Sequence, residues 1–278
     1  MHKVDLDTWA DFERELEQLE IKRCELVAEP STTHVSNLLF RGQSDASWHL
    51  TTTLEREVGD DTPLADYISV IQRIRAEVET FTKRSWNLPD DTADLLERKL
   101  PLPSPIAAYE YMAYLRHNRF PSPLLDWTQS PYIAAFFAFA EDRDSENVAI
   151  FAYLEYAGRG KAGWVAEPQI YSVGPNIRTA KSHELQQSEY TFCCRQVKDG
   201  GRILCSHESA FGRNSDRQDL LWQFTLPARE RKGVLSRLDK KKISSFSLFD
   251  SEEGLLRSLA NREFLFAENP RCMENWGP

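Results

Sequence analysis

The chain has 278 residues, of which 41% are hydrophobic, and it carries a formal net charge of −9. This length and apolar content suffice for one large domain or two small ones with a buried core. An acidic chain does not suit a protein that mainly coats phosphate backbones, because Lys and Arg drive such binding. No apolar run reaches the roughly eighteen residues that span a bilayer, and the N-terminus lacks the apolar stretch of a signal peptide. We therefore expect a cytoplasmic protein without a membrane partner.

The cysteines indicate neither a disulfide framework nor a metal site. There are five of them, an odd number, with no C-x-x-C pair and no paired histidine at ligand spacing. We expect reduced thiols and no bound metal. The cysteines are Cys24, Cys193, Cys194, Cys205 and Cys272.

The first elements along the chain are a helix and a strand that ends in an arginine. Residues 7–20 place apolar side chains on one helical face and predict an amphipathic helix packed on the core. Residues 36–40 predict a short apolar strand that runs into Arg41, Gly42 and Gln43. The planar fork of Arg41 suits a phosphate or carboxylate, and Gly42 lets a ligand or another backbone come close. The alternative for Arg41 is a partly buried structural ion pair.

Two helices and a proline-rich connection follow. Apolar residues recurring every three or four positions predict a long amphipathic helix over residues 64–84. Residues 87–105 carry four prolines and predict a surface connection, with one or two helical turns around residues 93–99. Ser104-Pro105 starts a second helix that ends near residues 116–118. His117, at that end, is either a general base or a cation at the helix C-terminus.

The stretch from Leu124 to Ala140 has the pattern of a site. A short apolar strand leads into Asp126-Trp127-Thr128, and Ser130-Pro131 then starts a helix that is apolar nearly all round. Such a helix is buried on most of its faces. The alternative is that Asp126 and Thr128 only cap the turn between strand and helix.

The second half of the chain predicts further strands and helices. Strands are predicted over residues 148–154, from Tyr190 onward and over residues 220–226, with a long irregular excursion over residues 155–180. Gln187 and Glu189 are two positions apart, so on an extended backbone they would share one face and one ligand; the alternative is an exposed polar strand entrance. One helix is predicted after Pro227 and another around residues 254–259. The elements predict a single α+β domain over residues 1–278.

Several familiar sites are excluded. The chain has no G-x-x-x-x-G-K-[ST] phosphate loop, no G-x-G-x-x-G after a strand, no H-E-x-x-H and no G-x-S-x-G. A Cys-His nucleophilic pair stays open, although Cys193 and Cys194 fit better as core thiols in a strand.

Three segments together resemble the FRG domain family. They are Phe40-Arg41-Gly42 with Trp48 and Leu50, then Leu124 to Thr128 with Ser130-Pro131 and the Ala/Phe-rich helix, then the run from Leu238 to Leu255. The likeness covers roughly residues 36–259, and residues 1–35 would supply a helix and a strand packed on that domain.

The order of motifs also resembles ADP-ribosyltransferases of the Arg–Ser–Glu kind. That resemblance implies a split β-sheet core flanked by helices and NAD as the substrate. It implies that Glu189 is the catalytic acidic residue, that Gln187 orients the acceptor, and that Arg41 holds the diphosphate or nicotinamide ribose. The remaining NAD-binding positions implied are Gly42, Gln43, Asp126, Trp127, Thr128 and Ser130, of which Thr128 and Ser130 would face the ligand or hold Glu189.

The resemblance implies transfer of ADP-ribose from NAD to a macromolecular acceptor, which could be RNA, DNA or protein. It further suggests a bacterial toxin or anti-phage effector restrained by an antitoxin partner. Cleaving the nicotinamide–ribose bond builds positive charge on the sugar, and a carboxylate stabilises that charge as it develops. Two other functions stay open: a non-catalytic module that binds a nucleotide or a peptide, and an NAD glycohydrolase.

Overall fold

The computed structural model describes residues 1–30, 35–92, 108–156, 167–174, 177, 181–198, 200–211 and 219–267. Within these residues the strands form one open, mixed, eight-stranded sheet with helices packed against it. The predicted single α+β domain is confirmed. The ADP-ribosyltransferase resemblance implied a split sheet, whereas these strands form one continuous hydrogen-bonded sheet.

The strands run in the order β1-β8-β4-β2-β3-β6-β5, with β7 paired to β6. The β1–β8 pair is parallel and the other pairs are antiparallel. β2 therefore lies in the middle of the sheet, with β4 on one side and β3 on the other. The strands are β1 (His2–Asp5), β2 (Val35–Gln43), β3 (Leu125–Thr128), β4 (Asn147–Tyr156), β5 (Gln169–Ser172), β6 (Ser188–Gln196), β7 (Arg202–Leu204) and β8 (Leu220–Pro227).

The helices vary from single turns to five turns. A 3₁₀ turn, Ala228–Glu230, precedes the eighth helix, and a π-helical turn, Asn261–Leu265, follows the tenth. The α-helices are α1 (Trp9–Ala28), α2 (Thr53–Val58), α3 (Leu64–Thr82), α4 (Tyr109–His117), α5 (Pro131–Phe139), α6 (Lys181–Leu185), α7 (His207–Phe211), α8 (Arg231–Lys240), α9 (Ser245–Phe249) and α10 (Glu252–Ala260). Among the described residues, none of these helices is both long and apolar enough to cross a bilayer.

Two separate apolar clusters cover one face of the sheet. In the first, helices α1, α5 and α8 pack on Phe40 and on the apolar side chains of β4 and β8. In the second, helices α3 and α4 pack on Tyr190 and Phe192 of β6. Since Phe40 lies opposite Thr128, and Asp126 lies opposite Tyr190, these residues share one face of the sheet. That face is consequently left with polar side chains on β3 between the two helical groups.

The opposite face carries a third cluster. It contains Trp127, Phe151 and Tyr153 from the strands and Phe211 from α7. Trp127 Nε1 donates to Thr191 Oγ1 at 2.8 Å within this buried layer. The indole of Trp127 therefore belongs to the core of this face.

Gly42 explains how α5 lies so close to the sheet. A Cβ atom built on Gly42 would stand 1.9 Å from the carbonyl oxygen of Ala134 and 2.6 Å from the amide nitrogen of Ala138. Only a residue without a side chain fits there. Of the two partners predicted for Gly42, a ligand or another backbone, the structure shows the backbone of α5.

The start of α5 has the predicted cap. Ser130 is the N-cap, its Oγ accepts from Ile133 N at 3.3 Å, and Pro131 follows at the first helical position. Most of the helix is buried, as its apolar sequence predicts. This short turn fixes where β3 ends and α5 begins.

Most of the long elements match their sequence predictions. The predicted helices over residues 7–20 and 64–84 correspond to α1, which runs eight residues further, and to α3; the predicted strands over residues 148–154 and 220–226 correspond to β4 and β8. The sequence does not predict the short helices α2, α6, α7 and α9, because one or two turns give too little periodicity. The turns predicted around residues 93–99, the helix start at Ser104 and most of the excursion over residues 155–180 lie outside the described residues.

Replacing Gly42 with alanine should destabilise the fold by about 3 kcal/mol, because the added methyl group meets helix backbone that cannot rotate away. The measurement is urea-induced unfolding at neutral pH.

Gly233→Ala is the matched control. Gly233 lies in α8, and a Cβ there meets nothing within 4 Å. This substitution should stabilise the protein by about 0.5–1 kcal/mol through helix propensity. Equal unfolding midpoints for the two variants would contradict the close approach of α5 to β2.

Candidate functional site

A large open cavity lies above β2, β3 and β6, between the two helical groups. Its volume is about 1020 Å³. The floor includes Arg41, Asp126, Thr128 and Tyr190, and the end of α4 forms one wall. The opposite wall includes Phe136, Phe137 and Ala140 from α5 and its end, Ser245 and Phe249 from α9, and Gly254 and Arg257 from α10. We call this cavity the cleft.

Asp126 binds two arginines at the floor of the cleft. Its Oδ2 lies 3.0 Å from Nη1 of Arg41, and its Oδ1 lies 2.6 Å from Nη2 of Arg116. Arg41 Nη1 also donates to the backbone carbonyl of Asp126 at 2.8 Å. β2 and β3 are paired at one position, where Phe40 lies opposite Thr128. Beyond that position the side chain of Arg41 connects the two strands.

The charge of Asp126 is stabilised by its partners. Burial opposes ionisation, but the guanidinium groups of Arg41 and Arg116 outweigh it and hold the pKa of Asp126 well below its usual range. Asp126 is therefore a carboxylate at every pH at which the protein is expected to work. Its side chain is still 43% exposed, whereas those of Arg41 and Arg116 are 13% and 20% exposed.

Polar atoms without a protein partner surround this cluster. Arg41 Nε, Arg116 Nε and Gln43 Oε1 are all buried, and none has a hydrogen-bond partner among the described residues. All three side chains line the cleft. Buried polar groups in proteins are ordinarily satisfied, by protein, water or a ligand. These atoms lie beneath the surface of the cleft, so a ligand would meet the more accessible ends of the same side chains.

The cleft is locally basic although the chain is acidic. Six arginines and three carboxylates line it, which leaves a formal charge of +3 with the histidines neutral. Arg56 and Arg119 have no carboxylate partner in the part of the chain that the structure describes. The arginines are Arg41, Arg56, Arg116, Arg119, Arg143 and Arg257, and the carboxylates are Asp126, Glu141 and Glu253.

An aromatic residue stands at the outer edge of the cleft. Trp48 is 43% exposed, and the guanidinium of Arg143 lies 5.0 Å from its ring centre. Phe249, on the opposite wall, is 45% exposed. Exposed aromatic faces beside arginines are suited to stacking on a planar group such as a nucleobase.

Tyr190 and His117, which the sequence did not associate with each other, complete the floor of the cleft. Tyr190 OH lies 2.8 Å from His117 Nε2, and the ring of His183 stacks on Tyr190 with centroids 5.7 Å apart. Burial raises the pKa of Tyr190, which therefore remains protonated. Burial and the neighbouring His183 lower the pKa of His117. The sequence suggested a general base or a cation at the helix C-terminus for His117, and neither role included a tyrosine partner.

Six of the seven predicted NAD-binding positions line the cleft. They are Arg41, Gly42, Gln43, Asp126, Trp127 and Thr128. Ser130 is the exception, because its hydroxyl caps α5. Thr128 Oγ1 donates to the carbonyl of Gln186 at 2.7 Å and accepts from Ser130 N at 3.2 Å. The two hydroxyls thus brace the turn, and neither holds Glu189.

The structure does not bring Glu189 into the cleft. Ser188 and Tyr190, on either side of it in β6, line the cleft, whereas Glu189 does not. It alternates to the opposite face, where its partner in β3, Trp127, buries its indole in the third apolar cluster. Gln129 Nε2 donates to Glu189 Oε1 at 2.5 Å, and burial raises the pKa of Glu189. The predicted grouping of Glu189 with Arg41 and Thr128 is therefore not found.

Gln187 is displaced as well. The prediction that Gln187 and Glu189 share one face assumed an extended backbone, but Gln187 has φ 48° and precedes the first residue of β6. Its carbonyl accepts from Gln129 N at 3.0 Å. Ser188, the first residue of β6, and Tyr190 lie on the cleft face, so Glu189 between them lies on the other face.

The thiols match their prediction within the described residues. Cys24, Cys193, Cys194 and Cys205 are free, with 3.6 Å between the sulfurs of Cys193 and Cys205. Cys272 lies outside the described residues. No group of three or more His, Cys, Asp or Glu side chains that could hold a metal ion occurs in the described part of the chain.

The fold and the cleft define an α+β domain with an arginine-rich cavity at the end of its central strand. Residues 36–147 match the family model of the FRG domain. The matched segment runs from β2 to the first residue of β4 and contains Arg41, Gly42, Arg116, His117 and Asp126. This match supports the FRG resemblance seen in the sequence. No curated protein and no solved structure gives a significant match to the chain.

Replacing Asp126 with asparagine should destabilise the fold at neutral pH by about 1–3 kcal/mol, because it leaves Arg41 and Arg116 close together without their shared counterion. Because the pKa of Asp126 is depressed in the folded state, its contribution is fully present above the ordinary carboxyl pKa and is lost as the pH falls. The difference between wild type and variant should therefore shrink below about pH 4.

Urea unfolding at several pH values checks this. Asp144→Asn serves as the control, because Asp144 is exposed and makes no ion pair within the described residues. A wild-type advantage that stays constant down to pH 2.5 would contradict the ion-pair assignment.

Proposed function

We propose that the cleft binds a phosphate-bearing nucleotide of the NAD type. The observation that carries this proposal is the pair of arginines on Asp126 at the floor of a cleft whose lining carries a formal charge of +3. A guanidinium group presents several N–H donors in one plane and is suited to phosphate oxygens. Asp126 neutralises only one of the two positive charges, so the floor keeps an attraction for an anion.

Size and shape favour a dinucleotide over a single phosphate. Ligand cavities commonly measure about 300–1,000 Å³, and this cleft is at the upper end at about 1020 Å³. Positive side chains lie at the floor, and Trp48 stands at the edge. A ligand with a diphosphate in the middle and planar rings at its ends would use both features.

Transfer of ADP-ribose from NAD to a macromolecular acceptor is the enzymatic form of this proposal. It is supported by the sheet order in part, because β2 with Arg41 and β3 with Asp126 and Thr128 are adjacent, while Glu189 of the next strand, β6, lies on the other face. The carboxylate on the floor of the cleft is Asp126 and not Glu189. A carboxylate beside the ribose would stabilise the positive charge that develops as nicotinamide leaves. With water as acceptor, the same chemistry is NAD hydrolysis.

This enzymatic proposal includes RNA, DNA or protein as the acceptor. It also includes a role as a toxin or anti-phage effector that an antitoxin partner restrains. A non-catalytic nucleotide-binding module is the second candidate, and the displacement of Glu189 from the cleft favours it. The two candidates share the same ligand and differ in whether nicotinamide is released.

Arg116→Gln should weaken NAD binding by about ten- to a hundredfold, since it removes one charge-assisted phosphate contact. Isothermal titration calorimetry with NAD measures the change. Arg14→Gln is the control, because Arg14 pairs with Asp11 on the exposed face of α1 and does not line the cleft. Equal affinities of the two variants, both folded by urea titration, would place the NAD site elsewhere.

Asp126→Asn and Glu189→Gln separate the enzymatic proposals. If transfer takes place in the cleft, Asp126→Asn should reduce nicotinamide release by roughly 10²- to 10³-fold, whereas Glu189→Gln should leave it nearly unchanged. The assay is the release of labelled nicotinamide from NAD, with and without cell extract. If Glu189→Gln loses more activity than Asp126→Asn, the reaction belongs to Glu189 and to the other face of the sheet. If the wild type releases no nicotinamide, the non-catalytic binding module is the remaining candidate.

A further inference from the structure

We propose that His117 is a further ligand contact of the cleft, which offers Nδ1 to a phosphate group and takes up a proton when that group binds. This inference rests on the proposed function, because it concerns how the same cleft holds a phosphate-bearing nucleotide. It adds a residue to which neither the motifs nor the FRG match assigns a role.

The position of His117 is the first argument. It is the last residue of α4, beside Arg116, and it lines the cleft. Its ring is held by the hydrogen bond to Tyr190, and the ring of His183 lies 6.0 Å away nearly perpendicular to it. The imidazole is therefore fixed next to the arginine pair.

The contact with Tyr190 suits either tautomer of the neutral ring, and the proposal takes the one with its proton on Nδ1. The Tyr190 hydroxyl is protonated and lies 2.8 Å from His117 Nε2, and in the proposed tautomer it donates to that nitrogen. A neutral imidazole that accepts at Nε2 carries its proton on Nδ1. Nδ1 is not buried, and it makes no hydrogen bond to any described residue. The neutral ring thus presents a free N–H donor at the cleft.

The charges around His117 keep it neutral in the absence of a ligand. On its own helix the facing charge is Arg116; from β3 it is Asp126; from α6 the titratable neighbour is His183; and from β6 it is Tyr190. Burial, His183 and Arg116 lower the pKa of His117, and only Asp126 raises it. One additional negative charge nearby would shift this balance toward the imidazolium form.

A bound diphosphate supplies that charge. When the ring takes up a proton, Nε2–H donates to the Tyr190 oxygen and Nδ1–H forms a charge-assisted bond to a phosphate oxygen. Both hydrogen bonds survive the change of protonation state, because a hydroxyl can donate or accept. The ring needs no reorientation, so proton uptake and ligand binding are coupled directly.

The coupling predicts how affinity depends on pH. The pKa of His117 is below its ordinary value in the free protein and higher in the complex, so binding takes up a proton at pH values between the two. In that interval the dissociation constant for NAD should rise with pH, by at most about tenfold per pH unit. The bridging diphosphate of NAD does not titrate there, so the proton taken up is assigned to the protein.

The experiment is titration calorimetry of the full chain with NAD from pH 5.0 to 8.5, in two buffers of different ionisation enthalpy. Wild type should show weaker binding at higher pH and net proton uptake in the sloping interval. His117→Gln should flatten the profile and remove the proton uptake. His2→Gln, a substitution on β1 away from the cleft lining, should keep the wild-type profile.

A second measurement uses wild type alone, so the result does not depend on a variant that folds. The imidazole resonances of His117 should titrate at a higher pH when NAD is bound. An unchanged titration of His117, or NAD binding that does not vary with pH, overturns the role of His117 and leaves the proposed function standing. Absence of NAD binding at every pH overturns both.

Discussion

The shared bond of Asp126 to Arg41 and Arg116 connects three elements that the rest of the site depends on. Arg41 is on β2, Asp126 on β3 and Arg116 on α4, so one carboxylate joins the central strand, its neighbour and a helix of the second apolar cluster. Among the described residues, the two apolar clusters on that face are separate, so apolar packing does not join these three elements there. Hydrophobic burial holds the helices of each apolar cluster on the sheet. The ion pairs of Asp126 link α4, from the second cluster, to the central strands at the cleft.

The other constraint is steric and concerns the opposite wall. Because Gly42 has no side chain, α5 can pack directly on the backbone of β2, while Ser130 and Pro131 fix its first turn. Arg41 and Gly42 are consecutive. Arg41 is linked through Asp126 to α4, and α5 packs against the backbone at Gly42. The two walls are thereby positioned by adjacent residues of a central strand, where the backbone is held by pairing with β4.

The sequence was informative where a local pattern decides the structure. The Ser-Pro helix start and the close approach at Gly42 each follow from one or two residues. For Arg41 the structure shows the partly buried ion pair, with Asp126, and its contact with a ligand stays a prediction. At Gln187 and Glu189 the local pattern did not show which face of β6 meets the cleft. Gln187, at φ 48°, is not extended, and Glu189 lies on the face opposite Ser188 and Tyr190.

Arg116 and His117 could not have been placed by such patterns. They end a helix, where basic residues are favoured by the helix dipole in any protein, so their presence carries no information about a site. Their role depends on how α4 packs against β6, which is a tertiary contact. Alternation along β6 separates Glu189 from Ser188 and Tyr190, but which of the two faces meets the cleft depends on the same packing.

The contrast between the cleft and the whole chain limits the kind of ligand that fits. The chain carries −9 overall, whereas the cleft lining carries a formal +3. Charges separated by more than about 8 Å are largely screened at physiological ionic strength, so a small anion inside the cleft interacts mainly with the arginines. A long polyanion would extend beyond them, over a surface with more carboxylates than basic groups, and would gain little there. The electrostatics therefore favour a compact dinucleotide, and any nucleic-acid acceptor would have to enter as a short, exposed segment rather than lie along the protein.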